Sequence, residues 1–197
     1  MGLFRDTDLN EKTLSSESVY DGHLLHVYKD TVMLPNGIES GREYIKHVGA
    51  VCVVALDGKG NIVVEQQYRY PVGRVVTEIP AGKLDEKGEN PLHAAKRELL
   101  EETGITADEY EYLGPFYPSC AYSDEVIHMY LAKSLYYGER SLDDDEFLNV
   151  GLMPLEELVS MIMNGEVPDG KTQAAVMRVW SGLNSEQKNS LDFRQEL

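Results

Sequence analysis

The chain has 197 residues, 42% hydrophobic and 26% charged, enough apolar material for the core of one ordinary domain plus a small N-terminal appendage. Its net charge of −16 argues against a surface that wraps DNA or RNA, because phosphate backbones call for clustered Lys and Arg. Two distant cysteines, Cys52 and Cys120, exclude a disulfide scaffold.

In chain order, residues 1–18 are polar and read as loosely ordered, with no secretory leader in MGLFRDTDLNEK. Val19 to about His47 reads as short strands joined by turns, one of them at Pro35-Asn36-Gly37, where Gly supplies the positive φ that many turns require. This segment is too small to bury its own apolar side chains and is expected to pack on the rest of the chain or on a second subunit. AVCVVALD, a GKGN turn and IVVEQQYRY read as a β-hairpin, with Cys52 a buried thiol. TEIPAG reads as a short strand ending at Gly82. Residues 90–104 form the clearest helix: Asn90 suits the N-cap, Pro91 the first turn and Gly104 the position past the end. EYEYLGPFYP, EVIHMYLAKSL and FLNVGLM read as strands, and MPLEELVSMIMNG and TQAAVMRVWSGL as amphipathic helices. Strands and helices mix without regular alternation, so the expected fold class is α+β, a sandwich of mixed sheets flanked by helices. No apolar stretch reaches the ~18 residues of a membrane span, and the expected location is cytoplasmic. His23 and His26 lack the Cys or His neighbours of a zinc site.

Glu98, Glu101 and Glu102 share one face of the 90–104 helix, at i, i+3 and i+4. Glu101 and Glu102 also stand in its last turn, the negative end of the helix dipole, where a carboxylate costs roughly 0.3–1 kcal/mol. Arg97 offsets part of this repulsion. A hard divalent cation such as Mg²⁺ or Mn²⁺ would offset the rest. Taken alone, such a face is more often merely solvated.

The stretch GKLDEKGENPLHAAKRELLEETGI, residues 82–105, resembles the Nudix box of Nudix hydrolases. From Glu89 through Arg97-Glu98-Leu99-Leu100-Glu101-Glu102-Thr103-Gly104-Ile105 the pattern matches throughout. Six residues, not the usual five, separate Gly82 from Glu89, an insertion in a loop where extra length is tolerated. The flanks EQQYRYPVGRVVTEIPAGKLD, FYPSCAYSDEVIHMYLA, DDDEFLNV and PDGKTQAAV look like ADP-ribose pyrophosphatases, with Cys120-Ala121 where that group usually has Pro-Gly.

The resemblance implies a Nudix-type α/β/α sandwich at 48–197, with a β-rich segment at 1–47 that serves a homodimer, strand exchange being one form such a dimer takes. It implies a Mg²⁺ or Mn²⁺ site held by Glu98, Glu102, the Ala81 carbonyl and Glu146, with Glu101 as an added ligand or acting through bridging water. The base that activates the attacking water falls at Asp144, a shorter side chain than the usual Glu. Arg69 is the candidate for the diphosphate, with Lys83 and Glu125 also near substrate. Arg42 and Glu43 would touch substrate across the dimer interface, and His23 and Leu24 would flank the base. The implied reaction is hydrolysis of a nucleoside diphosphate sugar, ADP-ribose first and GDP-mannose as the nearest alternative. A sensing module that binds a nucleotide without cutting it is a competing expectation, disfavoured by the intact glutamates. A plain acidic metal buffer is disfavoured by the lack of a DxDxDG loop.

Overall fold

The computed structural model describes residues 9–141 and 147–183. In chain order the strands are β1 (Lys12–Asp21), β2 (His26–Met33), β3 (Glu39–Lys46), β4 (Ala50–Ala55), β5 (Asn61–Arg69), β6 (Arg74–Glu78), β7 (Ala81–Lys83), β8 (Ile105–Phe116), β9 (Ile127–Tyr137) and β10 (Leu148–Pro154). The helices are α1 (Pro91–Thr103), α2 (Leu155–Met163) and α3 (Gly170–Gly182). The described residues up to His47 form one compact unit with Ser119–Glu125, and Val48–Pro118 forms a second with those from Val126 onward.

In the first unit β1, β2 and β3 form an antiparallel sheet in that order. The sequence reading left residues up to 18 loosely ordered. Instead Lys12–Asp21 pairs along β2, from Lys12 opposite Met33 to Asp21 opposite His26. All ten β1 side chains are exposed, so no apolar alternation announces the strand; the backbone ladder makes it. The Pro35-Asn36-Gly37 turn is present, with Gly37 at φ 81° and its N–H bonded to the Leu34 carbonyl at 2.9 Å. The 119–125 segment is tied to β3 by the Ile45 N–H on the Tyr122 carbonyl, 2.9 Å.

In the second unit β4 is central. It runs parallel to β9 and antiparallel to β7, and β8 pairs with β9, giving a mixed sheet in the order β7-β4-β9-β8. All six β4 side chains are buried, and the two-residue period of a strand divides them between two cores. Ala50, Cys52 and Val54 meet Leu155, Leu158 and Ile162 of α2 and Ala175, Val176 and Val179 of α3. Val51, Val53 and Ala55 meet Ala94, Ala95 and Leu99 of α1. Helices therefore cover both faces of the sheet. Each such Val or Leu side chain contributes about 1.5–3 kcal/mol on burial.

The expected β4–β5 hairpin is not formed. Asp57 builds the turn, its Oδ1 accepting from Lys59 N (2.8 Å) and Asn61 N (2.7 Å), but only an isolated Leu56–Ile62 bridge joins the two arms. β7 pairs with β4 from Ala50 to Cys52 and β9 pairs along its other edge, while β5 joins an antiparallel sheet in the order β10-β5-β6. TEIPAG is likewise split between sheets. Ile79 gives its N–H to Thr172 Oγ1 at 3.0 Å, and Pro80 has none to give. The crossing leaves Glu78 on one sheet and Ala81 on the other.

Helix α1 follows its sequence signals. Asn90 Oδ1 accepts from Leu92 N at 2.9 Å, and Gly104 ends the helix at φ 72°. Among the described residues no helix is long and apolar enough to cross a membrane.

Candidate active site

Glu98 and Glu102 are one α-helical turn apart and both buried, at 9% and 5% exposure, although they are carboxylates. Burying a carboxylate is unfavourable unless it is held by polar partners. Glu102 Oε2 accepts from the Ala81 N–H at 3.0 Å, and Glu98 Oε1 accepts from Arg97 Nη1 at 2.9 Å. The Glu98 carboxyl also lies against Gly82: a Cβ built there would fall far inside 3.0 Å of all three carboxyl atoms. Glycine leaves open the side-chain space that this carboxylate occupies.

The strand register locates a third oxygen. The pairs Val53–Pro80 and Gly49–Leu84 are hydrogen-bonded across β4 and β7, through Val53 N on the Pro80 carbonyl (2.9 Å) and Leu84 N on the Gly49 carbonyl (3.1 Å). By antiparallel alternation the Cys52–Ala81 pair is not, so the Ala81 N–H and carbonyl both turn to the outer edge of β7. That is the edge at which Glu102 receives the N–H. Two carboxylates and a carbonyl make an oxygen-only donor set, which suits a hard divalent ion better than zinc or copper. Among the described residues no three His, Cys, Asp or Glu side chains form a metal cluster by themselves. The expected third carboxylate, Glu146, and the expected base, Asp144, lie outside the described residues. Ser141 N, just before them, is held by the Glu101 carbonyl at 3.0 Å.

Arg97 joins the loop to the helix. It contacts Asp85 (3.2 Å), Glu89 (3.6 Å), Glu98 (2.9 Å) and Glu101 (3.3 Å), and bonds the Lys83 carbonyl at 3.3 Å. One cation thus offsets the repulsion of several acids around the C-terminal half of α1, as its place in the sequence led us to expect.

A second polar network adjoins this one. Arg69 grips Glu78 with Nε (2.6 Å) and Nη2 (2.7 Å). Lys171 bonds the same carboxylate and reaches Asp169 at 3.0 Å. Burial alone would push the Glu78 carboxyl up, but the hydrogen bonds and charges of Arg69 and Lys171 outweigh it and hold it below the ordinary range. The Arg69 guanidinium is raised, first by its bond to Glu78, against the effect of burial, and further by the charges of Asp169 and Glu102.

The sequence reading missed Glu78, Asp169, Lys171 and Thr172. A signal was present for the first: one acid inside the apolar strand RVVTEIP has to find a partner when buried.

Of the other candidates, Lys83 adjoins Gly82 in the chain, and the rest lie further from it in sequence. Lys83 is exposed at the end of β7. His23 and Leu24 occupy the exposed β1–β2 turn, closed by Gly22 N on the Leu25 carbonyl at 2.9 Å. Arg42 and Glu43 are exposed on β3, with Arg42 Nε bonded to Glu11 at 2.9 Å. Glu125 is half-buried in the 119–125 segment of the first unit, 3.9 Å from His47 Nδ1.

Two buried carboxylates and a backbone carbonyl gathered at one helix and sheet edge form an arrangement of oxygen atoms into which a hard divalent ion would fit. The NUDIX domain profile matches residues 46–175, and that of the nucleoside diphosphate sugar hydrolase N-terminal domain matches 11–45. The chain belongs to the Nudix family, whose hydrolases need divalent metal ions. An ADP-ribose pyrophosphatase of Bacillus subtilis (strain 168) is 44% identical over 85% of this chain and 91% of its own length. A methanol dehydrogenase activator of Bacillus methanolicus is 43% identical, over 84% and 90%. A GDP-mannose pyrophosphatase of Yersinia enterocolitica serotype O:8 / biotype 1B is 30% identical, over 75% and 83%. The crystal structure of an ADP compounds hydrolase shares the fold, with a TM-score of 0.76 at 21% identity over 87% of this chain and 92% of that one.

Proposed function

We propose that the chain hydrolyses the diphosphate of a nucleoside diphosphate sugar with Mg²⁺ as cofactor, converting ADP-ribose and water to AMP and ribose 5-phosphate. The observation that carries this reading is the buried Glu98–Glu102 pair, with Gly82 making room for one carboxylate and the Ala81 amide fixing the other. Glu98, Glu102, the Ala81 carbonyl and Glu146 would hold the ion, and Glu101 would support it directly or through water. A bound divalent ion neutralises diphosphate charge and makes its water more acidic. Asp144 takes the proton of the attacking water. Arg69 meets the diphosphate and steadies the leaving phosphate as its bond to phosphorus breaks. Lys83 and Glu125 are assigned to substrate. Arg42, Glu43, His23 and Leu24 are assigned to nucleotide contacts across a homodimer interface. No nucleic-acid or membrane partner enters this reading.

ADP-ribose comes first because the Bacillus subtilis relative carries that activity in its name and is the more similar; the Yersinia relative supports GDP-mannose as the second reading. The test is a panel of nucleotide-sugars incubated with purified protein and Mg²⁺, with EDTA and Glu102→Gln as controls. AMP and ribose 5-phosphate should form from ADP-ribose, and both controls should stop them. A Glu102→Gln protein of wild-type rate would defeat the metal assignment. Binding without turnover across the panel would favour a nucleotide sensor.

A further inference from the structure

Arg69 and Glu78 stand on neighbouring antiparallel strands, but they are not cross-strand partners: Arg69 is opposite Arg74, and Glu78 is opposite Glu65. The guanidinium reaches back along the sheet to grip Glu78 through both Nε and Nη2, which fixes its plane. The two ends of this pair differ in surroundings. Glu78 is 5% exposed and Lys171 10%, whereas the Arg69 side chain is 42% exposed. The carboxylate end is sealed and the cationic end is open.

The network holds two anions, Glu78 and Asp169, and two cations, Arg69 and Lys171. As a device for stability alone this is a poor choice, since replacing buried ion pairs by packed apolar side chains is often neutral or better. Nor is it needed to fasten α3 to the end of β6. Thr172 Oγ1 already takes the Ile79 N–H at 3.0 Å, and Asp169 Oδ2 already caps α3 by accepting from Thr172 N at 2.9 Å. Glu78 is also three residues before Ala81, whose N–H holds Glu102 at 3.0 Å. One short stretch of chain thus sets both the arginine and the metal-site carboxylate.

We infer that Glu78 is a positioning residue for the hydrolysis: it holds the Arg69 guanidinium aimed at the diphosphate, and Lys171 with Asp169 locks Glu78 from the start of α3. The inference rests on the reading of Arg69 as a phosphate contact. An arginine left to rotate in water would have to be ordered by each arriving substrate, and misplacement of a binding group by about 1 Å can lower a rate by about 100-fold.

A double-mutant cycle on the full chain tests this, read as kcat and KM for the nucleotide-sugar that wild type turns over fastest, with melting temperature alongside. Glu78→Gln should lower kcat/KM by roughly 10- to 100-fold. Arg69→Ala should do at least as much, and the double variant should be no worse than Arg69→Ala. Glu78→Asp, which keeps the charge, should recover part of the loss. If the two single losses multiply in the double variant, Glu78 acts independently of Arg69 and the inference is overturned. If Arg69→Ala is impaired while Glu78→Gln matches wild type, the inference fails and the Arg69 reading stands. If Arg69→Ala matches wild type, the phosphate reading itself fails and the inference with it. Should Glu78→Gln not fold, Lys171→Met enters the same cycle. Its smaller loss should vanish in the Arg69→Ala background, and a loss that persists there overturns the inference.

Discussion

Gly82→Ala is the sharpest probe of the proposed metal site because it removes no proposed ligand and changes no charge. Gly82 does not have a left-handed backbone, so alanine meets no conformational penalty there. Its Cβ, however, would fall where the Glu98 carboxyl now sits, and ordinary van der Waals contact begins near 3.4 Å. The carboxyl would have to retreat by at least about 1 Å, a displacement of the size that costs about 100-fold when it moves a reacting or binding group. The yielding atoms are the far end of a flexible side chain and not backbone, so the fold should survive. The expected result is a melting temperature close to wild type, kcat/KM reduced by about 100-fold, and a higher Mg²⁺ concentration for half-maximal rate. Titrating Mg²⁺ against initial rate, with circular dichroism on the same samples, makes the measurement. A variant with wild-type metal dependence would refute the reasoning, since Glu98 could then leave its cradle without consequence for the ion.

Gly104→Ala should act on stability instead: at φ 72° its Cβ would lie 2.7 Å from the Gly138 carbonyl oxygen and 2.8 Å from Arg140 N, and backbone yields poorly. A loss of about 2 kcal/mol, roughly 4–8 °C in melting temperature, is expected by calorimetry, and an unchanged melting temperature would contradict the contact. Burial pushes the Cys52 thiol up to about 12, whereas Cys120 is exposed. Iodoacetamide at neutral pH should therefore modify Cys120 alone in the native protein and both cysteines in denaturant, as read by mass spectrometry; rapid native labelling of Cys52 would contradict its burial. Because Glu78 is held below the ordinary carboxylate range, its ionised form adds stability above its unfolded-state value of about 4.3, and that stability is lost as pH falls through the lower native value. The gap in melting temperature between wild type and Glu78→Gln should be widest above about pH 5 and close in stronger acid, and a gap independent of pH would sink the assignment.

Local signals made α1 legible before any coordinates. Asn90, Pro91 and Gly104 mark its ends through backbone chemistry that acts within a few residues, and the structure keeps all three roles. The two misread connections depended on something a linear reading does not contain, namely which strand edges were already taken. AVCVVALD and IVVEQQYRY satisfy every local rule for a hairpin, yet β4 has β7 on one side and β9, more than 70 residues later, on the other. The clue lay in the pattern of β4 itself: six consecutive buried side chains fit a central strand covered on both faces, not one arm of a half-exposed hairpin. Residues 12–18 were misread for the opposite reason, since a strand with every side chain in solvent leaves no pattern in its hydropathy.

The same division between local and distant information runs through the site. Glu98, Glu101 and Glu102 could be put on one face from helical spacing alone, but spacing ranks them equally, and burial separates them. Glu98 and Glu102 turn inward to Gly82 and Ala81, while the Glu101 side chain is 42% exposed and bonded to Arg97. That asymmetry follows from where β7 passes, which is fixed in turn by the crossing at Ile79-Pro80. The crossing also carries Glu78 to Arg69 and Lys171, 9 residues back and 93 residues on. A buried acid in an apolar strand announces only that a partner exists. The identity of the partner, and therefore the link between the arginine and the buried carboxylates of α1, is a property of the packing.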